Sequence, residues 1–171
     1  DGGIAVLRDS PRGGCTVSWR NETEATVVNT SVPDELCDAQ NPSIAVDADS
    51  GLVVVGTGEQ GAVVTDDDLV LVDGLGDLVA WDPYTDTIYS SNKGSDLVSG
   101  YKLDGTAVWS TPVSGAVLSL DSMGAAESVL VMLEKPDRSG ELVILDGYTG
   151  IEQTTVPTPS AAQEIDVSDN G

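Results

Sequence analysis

Short apolar runs alternate with polar turns along the whole chain, and the runs recur in a fixed order. Four stretches share one pattern, in which apolar or small residues lead to an Asp and then a polar turn. They are "IAVDADSG" at 44–51, "LVAWDPYTD" at 78–86, "VLSLDSMGA" at 117–125 and "QEIDVSDNG" at 163–171. Their aspartates, Asp47, Asp82, Asp121 and Asp166, lie 35, 39 and 45 residues apart. A second apolar run follows each of the first three: "LVVVGT" at 52–57, "TIYSS" at 87–91 and "SVLVML" at 128–133. Third and fourth runs then follow, as in "VSGYKLDG" with "TAVWSTPV" and "ELVILDG" with "IEQTTVP". Runs this short, bounded by Gly, Pro, Asn and Asp, predict strands joined by tight turns.

The amino-terminal stretch enters the pattern at its second run, because "DGGIAVLRD" aligns with "DSGLVVVGT". "CTVSWRNETEATVVNTSVP" then supplies its third and fourth runs. Each period therefore encodes four antiparallel strands, which is the period and strand count of a β-propeller blade. The expected fold is all-β, with repeats at about 1–40 (lacking its first strand), 41–76, 77–114 and 115–160, and the first strand of a further blade at 161–171. The second strands are almost wholly apolar, as strands covered on both faces should be. Pro33, Pro112 and Pro157 fall at fourth strands, where a missing N–H costs least. Residues 123–135, "MGAAESVLVMLEK", compete as a helix, but the repeat register places a strand in their apolar half. An arc of a larger ring is expected, with Trp81 too large for the inner strand of a four-blade closure. Pairing of Ile165 with Ile4–Val6 would instead close the ring.

"YKLDGTAVWSTPVSG", residues 101–115, resembles the outer half of the PQQ-like propeller repeat through Leu103, Asp104, Gly105 and Trp109. First halves such as "SIAVDADSGLVVVGT" resemble the YVTN and NHL propeller types. In the last repeat Gly150 is followed by Thr154 where the Trp would stand. Trp109 is expected as a wedge between blades, the alternative being a surface on which a cofactor stacks. The resemblance to quinone enzymes implies Ca²⁺ ligands, a cation near the quinone and often adjacent cysteines, and none of these can be matched to positions here. Fold likeness is thus a weak ground for a dehydrogenase.

Composition narrows the function further. The 23 valines and the absence of Phe suit pleated strands more than helices. No apolar run approaches the ~20 residues that span a bilayer, so membrane insertion is not expected. Asp and Glu number 29 against 7 Lys and Arg, a formal charge of −22, which repels nucleic-acid backbones and anionic membranes. Adaptation to high salt would also produce such a surface. Cys15 and Cys37 have 21 residues between them, too far for a CxxC site. They predict a disulfide and hence a secreted, periplasmic or cell-surface protein, with two free thiols as the alternative.

The chain has no histidine, which removes Ser-His-Asp triads and imidazole chemistry. Glu127 and Glu164 are the carboxylates in the most apolar settings, and both read as solvated side chains rather than as a general acid. Asp47, Asp49 and Gly51 begin like a Ca²⁺ loop, but the twelfth position is Gly58. Asp66, Asp67 and Asp68 are a second weak Ca²⁺ candidate, and polar turns account for both. "NET" at 21–23 and "NTS" at 29–31 match the glycosylation sequon and are taken as incidental. The composite expectation is a non-catalytic extracellular propeller that binds or scaffolds a protein or glycan. Two alternatives stand beside it: a fragment of a PQQ-like enzyme whose catalytic residues lie elsewhere, and a repeat of a surface layer or filament. Further blades, from more sequence or from another chain, are among the expected partners.

Overall fold

A computed structural model describes residues 3–9, 14–21, 26–47, 49–65 and 68–167. Four antiparallel sheets follow one another along the chain. The first has three strands, β1 (Gly3–Asp9), β2 (Cys15–Asn21) and β3 (Thr26–Val32). The second is β4 (Ser43–Asp47), β5 (Leu52–Gly56), β6 (Gln60–Val64) and β7 (Leu69–Asp73). The third is β8 (Leu78–Asp82), β9 (Thr87–Ser91), β10 (Leu97–Tyr101) and β11 (Ala107–Pro112). The fourth is β12 (Ala116–Ser122), β13 (Ser128–Glu134), β14 (Gly140–Asp146) and β15 (Glu152–Thr158). Strand order within each sheet is sequence order, so every sheet is a simple meander. We call the sheets blades 1 to 4; the molecule is an all-β partial propeller.

The core is divided into three apolar layers, each between successive blades. Val17, Trp19 and Val28 of blade 1 meet Val53, Val55, Ala62 and Val64 of blade 2. The opposite side chains of blade 2, Leu52, Val54, Val63 and Val72, meet Val79 and Ile88 of blade 3. Ala80, Tyr89 and Val98 then meet Val117, Leu120 and Val131 of blade 4. Because side chains alternate across a strand, one strand feeds two layers. Every residue of β5 and β9 is consequently buried, whereas the outer β11 and β15 are largely exposed. The inner strands stand side by side, and Val79 N donates to Ser43 Oγ across the gap at 3.3 Å.

The competition at 123–135 resolves as the repeat register requires. Gly124–Ala126 form one 3₁₀ turn, and β13 then pairs with β12 and β14 on its two sides. Two features differ from the sequence expectation. Asp34–Asp38 form a short helix, α1, directly after Pro33, and the Cys15–Cys37 disulfide ties it to β2 with a Cα–Cα distance of 5.7 Å. Closing a loop of this length contributes ~3 kcal/mol. The second difference is the expected strand at 161–171: residues 161–167 belong to no ladder, and 168–171 lie outside the described residues. This segment runs beside β12, where Val167 N donates to Asp121 Oδ2 at 2.7 Å. A strand is held by backbone partners, and here the neighbour supplies a side chain instead. Among the described residues β1 pairs with β2 alone, so Ile165 forms no ladder with Ile4–Val6 and that pairing does not close the ring.

Candidate functional site: the cleft at the inner-strand ends

The first-to-second-strand turns of blades 2, 3 and 4 converge where β4, β8 and β12 end, and a cleft of about 460 Å³ opens between them. Trp81 and Tyr84 come from blade 3 and Met123 from blade 4. Asp49, Asp121 and Asp166 supply the charge. Trp81 Nε1 donates to Asp47 Oδ2 of blade 2 at 3.3 Å, which fixes the indole across the inter-blade step. Tyr84 N donates to the buried Asp82 Oδ1 at 2.9 Å, and a side-chain carbon on Gly124 would sit 3.4 Å from the Tyr84 ring. The ring therefore lies over the blade 4 turn, yet Tyr84 remains 62% exposed. Tyr148 Oη reaches across to Tyr84 O at 3.2 Å and to Glu127 Oε1 at 3.4 Å.

The carboxylates of this face differ in setting. Asp47 Oδ1 accepts from Asp49 N at 3.0 Å, and Oδ2 accepts from Ser50 Oγ at 2.8 Å. Burial works to raise the Asp47 carboxyl, but the combined hydrogen bonds from Ser50, Asp49 and Trp81 hold it below its ordinary value. Asp121 moves the other way. Burial raises its carboxyl and the Asp166 charge adds to this, against hydrogen bonds from Val167 N and Ser122 N. Half-buried and near the Asp166 charge, Asp121 would be favoured as a carboxylate by a neighbouring cation.

Several sequence candidates lie elsewhere or are already engaged. Asp47 closes its own turn, Asp49 borders the cleft, and Asp68 Oδ1 accepts from Leu69 N at 2.8 Å. Asp66 and Asp67 lie outside the described residues. Among the described residues no three His, Cys, Asp or Glu side chains converge closely enough to hold a metal. Glu127 and Glu164 are both exposed. Asn29 of the second sequon sits within β3 and accepts from Ser18 Oγ at 3.0 Å. Trp109 lies between blades: Nε1 donates to Gly147 O at 3.0 Å, and the β14–β15 turn covers its ring. Tyr84, Met123 and Asp121 were not singled out as site residues from the sequence. Their only signal was position, since each follows or occupies the repeat's inner-strand Asp.

No protein-family model matches the sequence, and no curated protein matches it. Solved structures do match. BamB from Moraxella catarrhalis is similar over 91% of this chain and 50% of its own, with 14% identity and a TM-score of 0.58. BBS1N, in complex with ARL6DN, is 10% identical over 94% of this chain and 55% of its own, with a TM-score of 0.62. A streptogramin B lyase is 10% identical over 91% of this chain and 54% of its own, with a TM-score of 0.60. The chain spans about half the length of these propellers. At such identities the likeness is one of fold: this is a β-propeller architecture.

Proposed function

We propose that the chain is a non-catalytic binding module of an exported β-propeller, and that it presents the inner-strand-end cleft to a protein or glycan partner. The observation that carries this reading is the cleft itself, where the half-buried Trp81 indole is fixed by its hydrogen bond to Asp47 and the Tyr84 ring is exposed. Rigid aromatics with one polar edge and one apolar face are the usual anchors of recognition surfaces. Propeller specificity resides in turns like these. BBS1N, a similar propeller, is seen bound to another protein, while the lyase shows that the fold also admits enzymes. The disulfide supports an oxidising compartment.

An experiment decides between binding and catalysis. Random peptide and glycan libraries selected against the folded chain are expected to yield ligands whose affinity falls on Tyr84→Ser. Ligands indifferent to Tyr84, or quinone-dependent alcohol oxidation in the presence of Ca²⁺, would overturn the reading. A second feature points to further blades. Ile4 is 68% exposed on β1, and Val156 is 52% exposed on β15. Apolar side chains on both flanking sheets favour an arc completed by more propeller, in which these residues are covered.

A further inference from the structure

The cleft is unbalanced in charge. Three carboxylates border it, and its lining contains no lysine or arginine. The lysine of the neighbouring β10–β11 turn is already committed: Lys102 Nζ donates to Thr85 O at 3.0 Å and to Asp86 O at 2.7 Å, beside the Asp86 carboxylate at 3.6 Å. Asp86 and Asp146 add further negative charge to the same end of the blades. Between the carboxylates stand the Tyr84 ring and the Trp81 indole, whose electron-rich faces attract cations. A divalent metal would need oxygen ligands converging on one point, which the described side chains do not offer. A planar or elongated organic cation needs less: an aromatic face, a carboxylate within reach and apolar walls for its alkyl stem.

We infer that the cleft takes an arginine- or lysine-bearing segment of a partner protein, with the cationic head against Asp121 and Asp166 and the stem across Tyr84 and Trp81. The inference rests on the binding reading above and names the chemistry of the partner. The cleft volume of about 460 Å³ accommodates one such side chain with part of its backbone. Arginine suits the site best, because its guanidinium both stacks on an aromatic face and pairs with carboxylates. Binding would relieve the repulsion between Asp121 and Asp166.

The probe is the capped peptide Gly-Arg-Gly-Arg-Gly, followed by anisotropy at about 0.15 M salt, where exposed charges are screened beyond ~8 Å. Its citrulline counterpart keeps the shape and removes the charge. Asp121→Asn with Asp166→Asn is expected to weaken binding about tenfold, and Tyr84→Ser about fivefold. Asn at position 121 can still accept from Val167 N, so the fold is preserved. Asp104→Asn with Asp137→Asn removes the same charge from exposed turns outside the cleft and is expected to change affinity less than about twofold. Equal loss in both pairs would mean general attraction to an acidic surface and would overturn the inference. Equal binding of the citrulline peptide, or of free spermine at the same affinity as the arginine peptide, would do the same. The outcomes also separate the two readings: library ligands that need Tyr84 but carry no cation would sink this inference and leave the binding function standing.

Discussion

Blades 2 and 3 solve the same packing problem with different chemistry. The second strand of blade 2 reads Leu-Val-Val-Val-Gly and that of blade 3 reads Thr-Ile-Tyr-Ser-Ser, yet both are buried along their whole length. The second strand of blade 2 meets its neighbours with aliphatic side chains. The second strand of blade 3 gives its serines local partners: Ser90 Oγ accepts from Gly76 N at 2.7 Å, and Ser91 Oγ donates to Leu97 O at 2.8 Å. Tyr89 Oη donates to the fully buried Asp82 Oδ2 at 2.9 Å and bonds Thr85 Oγ1 at 2.8 Å. The outer strands differ likewise. Val72 of β7 packs on Gly105 of blade 3, whereas Trp109 of β11 sits opposite Gly100 and packs on Gly150 of blade 4. Burial in the second strand thus follows from position in the arc, and composition decides only how the cost of burial is met.

This contrast can be tested by exchanging one solution for the other. Val54→Ser puts a hydroxyl into the aliphatic layer of blade 2, where no partner awaits it, and should cost about 3 kcal/mol in urea unfolding. A loss below ~1 kcal/mol would show that the layer adapts. At the outer strands, Trp109→Ala should cost about 3 kcal/mol and Val72→Ala about 2 kcal/mol, measured by the same melts. The reverse order would mean that the indole is not the main tie between blades 3 and 4. Gly150 is tied to this step, because its φ is +69° and a Cβ there would meet the Trp109 ring. Trp109→Ala should therefore make Gly150→Ala less harmful, an interaction a double-mutant cycle would detect.

Smaller effects come from the polar network of blade 3. Tyr89→Phe should cost about 2 kcal/mol, since Asp82 loses a donor while staying buried. It should also change the alkaline limb of stability. Burial pushes the Tyr89 phenol well above its ordinary value of 10.0, with the Asp82 charge acting in the same direction and the Thr85 hydrogen bond opposing it. The unfolded chain then releases this proton first. The contribution is complete below pH ~10 and is lost as pH rises above it. Stability of the parent protein should fall between about pH 10 and 11 by more than that of Tyr89→Phe; parallel curves would refute the assignment. Ser90→Ala should cost about 1 kcal/mol, leaving Gly76 N without its acceptor.

The repeat was legible because its signals are local. Asp47, Asp82 and Asp121 mark inner-strand ends that the structure brings to one side of the arc, and the turn residues between strands are read directly from the chain. The helix α1 was hidden, since five residues after a proline carry no periodicity and their register is held by a disulfide. The cleft was hidden for a different reason. Tyr84, Met123 and Asp166 are separated by tens of residues and belong to turns that look alike in sequence, so nothing local distinguishes a turn that faces its neighbours from one that faces water.

The amino-acid sequence by itself determined the all-β class, the order of the strands and the role of Trp109, because alternation, turn chemistry and period act over a few residues at a time. Tertiary structure alone decided which polar side chains are satisfied and that residues 161–167 lie beside β12 without joining its ladder. It also decided that Asp121 and Asp166 border one cleft with the exposed Tyr84 and the half-buried Trp81. Those outcomes depend on what one blade places against the next, and desolvation and like-charge repulsion exist only once the blades are stacked.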